Sequence, residues 1–147
     1  MEIYELLNLT ITNKASDLHL VVGLSPTLRI DGVLRPIASY PALQTDMVET
    51  MVYTLLTPEQ KELLLANKEL DFSIGYGGNE TTGQGRFRVN AYFQKGYMSA
   101  AFRFLAPRVR SIEELNLPEV CHQFSKLKQG FVLVTGPSGQ GKSSTLA

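Results

Sequence analysis

Gly136, four further residues, and then Gly141, Lys142 and Ser143 make the pattern of a phosphate-binding loop, and each fixed position has a mechanical reason. Gly136 lets the chain turn away from the preceding apolar run. Gly139 and Gly141 tolerate positive φ, so successive backbone N–H groups line a concave nest for an anion. Lys142 adds a point charge for the β- and γ-phosphates. The Ser143 hydroxyl is a ligand for Mg²⁺, and a helix starting there turns its positive end toward phosphate. The residues expected to touch nucleotide are Gly136, Ser138, Gly139, Gln140, Gly141, Lys142, Ser143 and Ser144, with ATP and Mg²⁺ as the implied ligands. A glycine-rich turn beside an ordinary surface lysine is the plainer alternative. The apolar run 131–135, read as a strand feeding the loop, favours the nucleotide site.

Few other side chains compete for chemistry. Asp17 and His19 lie two apart on an expected strand and share a face, where a hydrogen bond or ion pair between them suits a structural or interface role; no third group completes a triad or a metal site. Glu113, Glu114 and Glu119 read as solvated helix residues rather than catalytic acids. Cys121, the single cysteine, excludes an internal disulfide and a cysteine-rich zinc site within this stretch, and reads as a small buried apolar residue in a reducing compartment. Fourteen Lys and Arg against 14 Asp and Glu give a formal net charge of zero, so any positive site must be local, and nothing in the balance points to nucleic acid or an anionic membrane. With 44% hydrophobic and 19% charged residues the composition is that of a soluble globular protein. No apolar run approaches the ~20 residues of a membrane span. The N-terminus is acidic rather than signal-like, and a cytoplasmic location without direct membrane insertion is expected.

The elements that must position these groups follow from periodicity. Ile3, Leu6, Leu7 and Ile11 have the spacing of an amphipathic helix over residues 2–14. A period of two then sets in at 16–22, with Leu18, Leu20 and Val22 inward and Asp17, His19 and Val21 outward. The pair Asp31-Gly32 between the runs 27–30 and 33–37 predicts a hairpin. A helix from Thr45 as N-cap places Met47, Val48, Met51, Val52 and Leu55 on one side. Thr57, Pro58 and Gln60 open another with a capping box, running to about Asn67. Leu70, Phe72 and Ile74 alternate on a strand over 69–76, and an exposed, mobile loop is expected at 77–85. Two longer strands, 86–94 and 97–105, meet at Lys95-Gly96 in a second hairpin. Beyond them Ser111 and Glu114 have capping-box spacing, and Pro118 opens a helix through about Leu127.

These runs divide into an α+β domain at 1–105, a connector with short helices at 106–129, and the start of a second domain at 130–147. A phosphate loop is normally the first turn of a parallel α/β sheet whose later strands supply the Mg²⁺-associated acid. No such strands follow Ser143 here, so the expectation is a truncated ATPase domain that does not hydrolyse ATP by itself.

The chain resembles, over nearly all of its length, the N-terminal portion of the PilT family of type IV pilus retraction ATPases within the type II/IV secretion-ATPase superfamily. The residues that carry the resemblance are the opening helix followed by Ala15-Ser16-Asp17-Leu18-His19-Leu20, Arg29-Ile30-Asp31-Gly32, Leu70-Asp71-Phe72-Ser73, Gly85-Arg86-Phe87-Arg88-Val89-Asn90-Ala91 and the loop itself. Ser138 and Gln140 stand where the family commonly has Thr and Ser, at variable loop positions. The resemblance implies a PAS-like antiparallel sheet with flanking helices, followed by the first strand and phosphate loop of a RecA-like α/β ATPase domain. It further implies a homo-hexamer and an inner-membrane pilus platform protein as partner, with ATP turnover driving pilus retraction and twitching motility. A pilus-assembly or type II secretion ATPase is the alternative, although those usually carry additional N-terminal sequence. For the 147 residues alone, a non-enzymatic interaction module is a further alternative. Carried over residue by residue, Arg88 and Arg103 are the arginines that would reach the phosphates, whereas Arg86 reads as solvated. Transition-state charge on a γ-phosphate does need donors that a closing domain delivers. With Lys95-Gly96 as the turn, Arg88 and Arg103 fall on one face as near neighbours, a like-charge pair that is unfavourable without an anion close by.

Overall fold

The computed structural model describes residues 2–77, 85–105, 111–137 and 140–146. Residues 78–84 of the expected loop and residues 106–110 of the expected connector lie outside them. The chain divides into two compact units, residues 1–107 and 108–147.

In the first unit the element order is α1 (Ile3–Thr12), β1 (Asp17–Val21), β2 (Thr27–Ile30), β3 (Val33–Pro36), α2 (Thr45–Tyr53), α3 (Pro58–Asn67), β4 (Glu69–Tyr76), β5 (Gly85–Gln94) and β6 (Tyr97–Leu105). All six strands join one antiparallel sheet in the order β3-β2-β1-β6-β5-β4. Both expected two-residue turns are present, with Asp31 and Gly32 at φ 50° and 80° and Lys95 and Gly96 at 53° and 84°. Left-handed φ at both central residues gives the turn the twist of the flanking strands, and it fixes the register. Ile30 therefore faces Val33, and Gln94 faces Tyr97.

Alternation along the strands sends Leu18, Leu20, Leu28, Phe87, Val89, Ala91, Met98, Ala100 and Phe102 into one core with Ile3, Leu6, Leu7, Val48, Met51, Val52 and Leu64 of the helices. An antiparallel sheet covered on one side leaves its other side to polar residues. Here that side carries Asp17, Arg29, Asp71, Arg88, Asn90 and Arg103. On the covered side, at the end of the core, Tyr76 stacks on Tyr4 and meets the edge of Phe87, which in turn packs against Phe104. Gly85 sits under the Phe104 ring, where a Cβ would overlap the aromatic carbons.

Local differences from the sequence reading have physical reasons. Thr10, not Ile11, completes the buried stripe of α1, because its hydroxyl donates to the Leu6 carbonyl at 2.8 Å and enters the core satisfied. Thr45 is the first helical residue of α2, and Gln44 occupies the cap position without a side-chain bond. For α3 the expected capping box forms, with Thr57 and Gln60 bonded reciprocally at 3.3 and 3.0 Å, and Lys68 ends the helix in the left-handed region at φ 62°.

In the second unit Ser111 and Glu114 make their reciprocal bonds at 3.3 and 3.0 Å around a single turn, and His122 Nε2 pairs with Glu113 Oε1 at 2.8 Å. The helix expected from Pro118 shortens to α4 (Val120–Phe124), and α5 spans Lys142–Leu146. Cys121 is partly buried, lining an apolar hollow of about 740 Å³ with Ile112, Leu115, Phe124, Val132 and Val134. Residues 131–136 pair with no other described strand, and Phe131 and Leu133 are 84% and 70% exposed. An isolated run of strand-forming residues has no ladder to satisfy its N–H and C=O groups, so β-propensity alone does not make it a strand.

Phe102 is fully buried while Leu63 on α3 is half exposed. Urea unfolding of the chain is expected to show Phe102→Ala destabilised by about 3–5 kcal/mol and Leu63→Ala within about 0.5 kcal/mol of the parent. Equal losses for the two would contradict the placement of the core.

Candidate nucleotide-binding residues

The polar face of the sheet brings together side chains that are far apart in sequence. The Lys95-Gly96 turn sets Arg88 of β5 directly opposite Arg103 of β6, as the turn arithmetic predicts. On the far side of β6, Arg103 is opposite Asp17 of β1, and Asp17 is also opposite Arg29 of β2. Asp17 is buried, with its side chain 9% exposed. Its Oδ1 accepts from Arg103 Nε at 3.0 Å, and its Oδ2 accepts from Ser16 Oγ at 2.8 Å and lies 3.4 Å from Arg29 Nε. Arg88 and Asp71 form a looser pair at 3.4 Å, both largely exposed, of the kind that contributes about 0–1 kcal/mol.

The like-charge contact between Arg88 and Arg103 is thus compensated from within the sheet, by Asp71 and Asp17. That corrects the inference that the two arginines by themselves signal a missing anion. Asp17 also bonds across strands to arginines rather than along its own strand to His19. A shallow cleft of about 410 Å³ opens over these groups, lined by Asp17, Glu69, Asp71, Arg88, Asn90, Ala101 and Arg103. The small Ala101 side chain leaves the floor open, and Asn90 is held by Glu69 at 2.9 Å. Glu69, Asp71 and Asn90 escaped the sequence reading of the site. Their only signal was the polar phase of the alternation at 69–73 and 86–90; which outward residues meet is decided by register.

His19 is partly buried beside this cluster, and its Nε2 is enclosed with no hydrogen-bond partner among the described residues. Burial pushes its pKa below the ordinary 6.5; Arg29 and Arg103 act in the same direction, and Asp17 partly opposes them. Below about pH 6.5 the unfolded chain therefore takes up a proton that the folded chain resists, so His19 lowers stability as pH falls through that value and is neutral in its effect above it. Replacing it by Gln is expected to flatten the fall in urea midpoint between pH 7.5 and pH 5. Parallel pH profiles for parent and variant would exclude the effect.

In the second unit the phosphate-loop residues are placed as follows. Lys142 opens α5, and its Nζ donates to the Gly136 and Pro137 carbonyls at 2.8 and 2.7 Å, folding the side chain back over the loop. Gly136 and Gly141 have φ of 153° and 79°, conformations that side chains strain to reach. Thr145 N–H donates to the Gly141 carbonyl at 2.9 Å, closing the first turn behind the loop. Gln140, Ser143 and Ser144 are exposed, while Ser138 and Gly139 lie outside the described residues. The donor set fits a polyphosphate: a lysine resting on carbonyl oxygens that phosphate oxygens would replace, and an exposed hydroxyl at Ser143 for Mg²⁺. Among the described residues no group of three or more His, Cys, Asp or Glu is placed to hold a metal.

No protein-family model matches the sequence. The chain is 42% identical over all 147 residues to the type IV pilus retraction ATPase PilT of Pseudomonas aeruginosa, covering 41% of that protein. It is 37% identical over 123 residues, 84% of its own length and 31% of the relative's, to a twitching motility protein of Neisseria gonorrhoeae. A crystal structure of the pilus retraction motor PilT with bound ADP superposes with a TM-score of 0.78 at 34% identity, covering 99% of this chain and 41% of that one. The chain thus spans about two fifths or less of the length of these relatives. In sequence along its whole length, and in its α+β fold with a six-stranded antiparallel sheet, the chain corresponds to the N-terminal portion of the PilT-like secretion ATPases.

Proposed function

We propose that this chain is part of an ATP-driven, hexameric motor subunit that powers type IV pilus retraction and twitching motility. The observation that carries the proposal is the match over all 147 residues, phosphate loop included, to a pilus retraction ATPase. It also favours retraction over pilus assembly or type II secretion. The PAS-like domain would run over residues 1–105, the connector over 106–129, and the RecA-like ATPase domain would begin at 130. The motor would act at the cytoplasmic face of the inner membrane through a pilus platform protein. No helix among the described residues is long and apolar enough to cross a membrane.

In this reading the loop around Gly136 and Gly141 binds the phosphates of ATP, and the Lys142 ammonium exchanges the carbonyls of Gly136 and Pro137 for the β- and γ-phosphate oxygens. Ser138, Gly139, Gln140 and Ser144 complete the contacts, and Ser143 holds Mg²⁺, which supplies charge neutralisation when bound. Arg88 and Arg103 would be the arginines that supply donors to the γ-phosphate in the assembled motor. Exposed, charge-compensated guanidinium groups suit that task, because each keeps N–H donors for a phosphate while the resting pair avoids repulsion.

In the full-length protein Lys142→Ala is expected to abolish ATP hydrolysis with the thermal unfolding midpoint retained. Arg88→Ala and Arg103→Ala should each lower kcat by roughly tenfold to a thousandfold; Arg88→Ala should change stability little, whereas Arg103→Ala also takes a partner from the buried Asp17 carboxylate and should lower the unfolding midpoint. Unaltered kcat in both arginine variants would remove the N-terminal domain from the chemistry, and unaltered turnover in Lys142→Ala would misplace the nucleotide.

A further inference from the structure

The two arginines of the cleft are held in different ways, and the difference lies in Asp17. Arg88 meets Asp71 through a terminal Nη2 at 3.4 Å, and the two side chains are 66% and 52% exposed. Arg103 is gripped instead by its inner nitrogen, Nε, at 3.0 Å from a carboxylate that is itself buried. Nε is the nitrogen of Arg103 engaged among the described residues, and none of those residues takes the hydrogens of its terminal Nη groups. The carboxylate in turn is fixed from two further directions, by the Ser16 hydroxyl and by Arg29. Arg29 is anchored on its own side, with Nη1 donating to the Gly32 carbonyl at 3.1 Å. A single carboxylate shared by two guanidinium groups cannot neutralise both. The Asp17, Arg29 and Arg103 cluster therefore carries one net positive charge, Arg88 and Asp71 cancel, and Glu69 on the other side of the cleft brings the whole site to zero.

We infer that Asp17 is a positioning residue for Arg103. It holds the guanidinium by Nε so that its terminal nitrogens are preset for a phosphate oxygen, and Arg29 shares Asp17 so that the carboxylate does not cancel the charge of Arg103. This rests on the reading that Arg103 meets the γ-phosphate. Arg103 is 68% exposed, and without a fixed inner anchor its guanidinium would be spread over many rotamers that must be lost again in the transition state. Arg88, with its longer terminal contact, is the less firmly held member of the pair.

The test uses steady-state ATP hydrolysis by the full-length protein, with thermal unfolding of each variant measured alongside. Asp17→Asn, which keeps the shape and removes the charge, is expected to lower kcat by roughly tenfold with KM for ATP nearly unchanged. Combined with Arg103→Ala it should add nothing further, because Asp17 acts through Arg103. Arg103→Lys leaves Asp17 in place and retains the charge, yet lacks an inner nitrogen to anchor and a fork to present. It should recover less than a tenth of the parent kcat. Parent kcat in Asp17→Asn, losses that multiply in the double variant, or full activity of Arg103→Lys would each overturn the inference. If Arg103→Ala alone leaves kcat unchanged, it is the underlying assignment of Arg103 to phosphate that fails, and the inference with it.

Discussion

A two-residue turn at Lys95 and Gly96 sets the geometry on which the polar face depends. Left-handed φ at both residues leaves one register open to β5 and β6, and every cross-strand neighbour follows from it. A slip of β5 by one residue against β6 would turn Phe87 and Val89 toward solvent and Arg88 toward the core, while Phe102 and Arg103 kept their faces. The burial of Phe87 and Val89 and the juxtaposition of the two arginines are therefore one constraint seen from opposite faces of the sheet.

The charges on that face are arranged by strand order as much as by register. β1 lies between β2 and β6, so Asp17 has an arginine opposite it on each side. A buried carboxylate is costly unless paired and hydrogen-bonded, and here Ser16, Arg29 and Arg103 meet that requirement together. His19, two residues along the same strand, lies near the same arginines and is held toward its neutral form. The cluster shows why a pair of like charges in a sequence is weak evidence of a ligand: their counterions can come from strands that are distant in the chain.

Much of this was legible from residue types. The periodicities located the first helix and the strands, Asp31-Gly32 and Lys95-Gly96 marked both hairpins, and Thr57 with Gln60 marked a helix start, since each depends on chemistry within a few residues. The family resemblance, carried by short stretches spread over the chain, agrees with the similarity to PilT over the full length. Less legible were Thr10 in place of Ile11, the cap at Gln44, and the run 131–135, which has the composition of a strand without a partner strand among the described residues.

By itself the sequence determined what local chemistry dictates: the turn types, the alternation that separates core from polar face, and a glycine-lysine-serine loop suited to phosphate. Only the tertiary structure decided that β1 enters between β2 and β6, and hence that Asp17 binds two arginines rather than His19, that Asp71 answers Arg88, and that Ala101 floors the cleft between them. The reason is that strand order is settled by how the whole hydrophobic core closes, a sum over contacts distant in the chain, and no local pattern encodes which polar side chains that closure brings face to face.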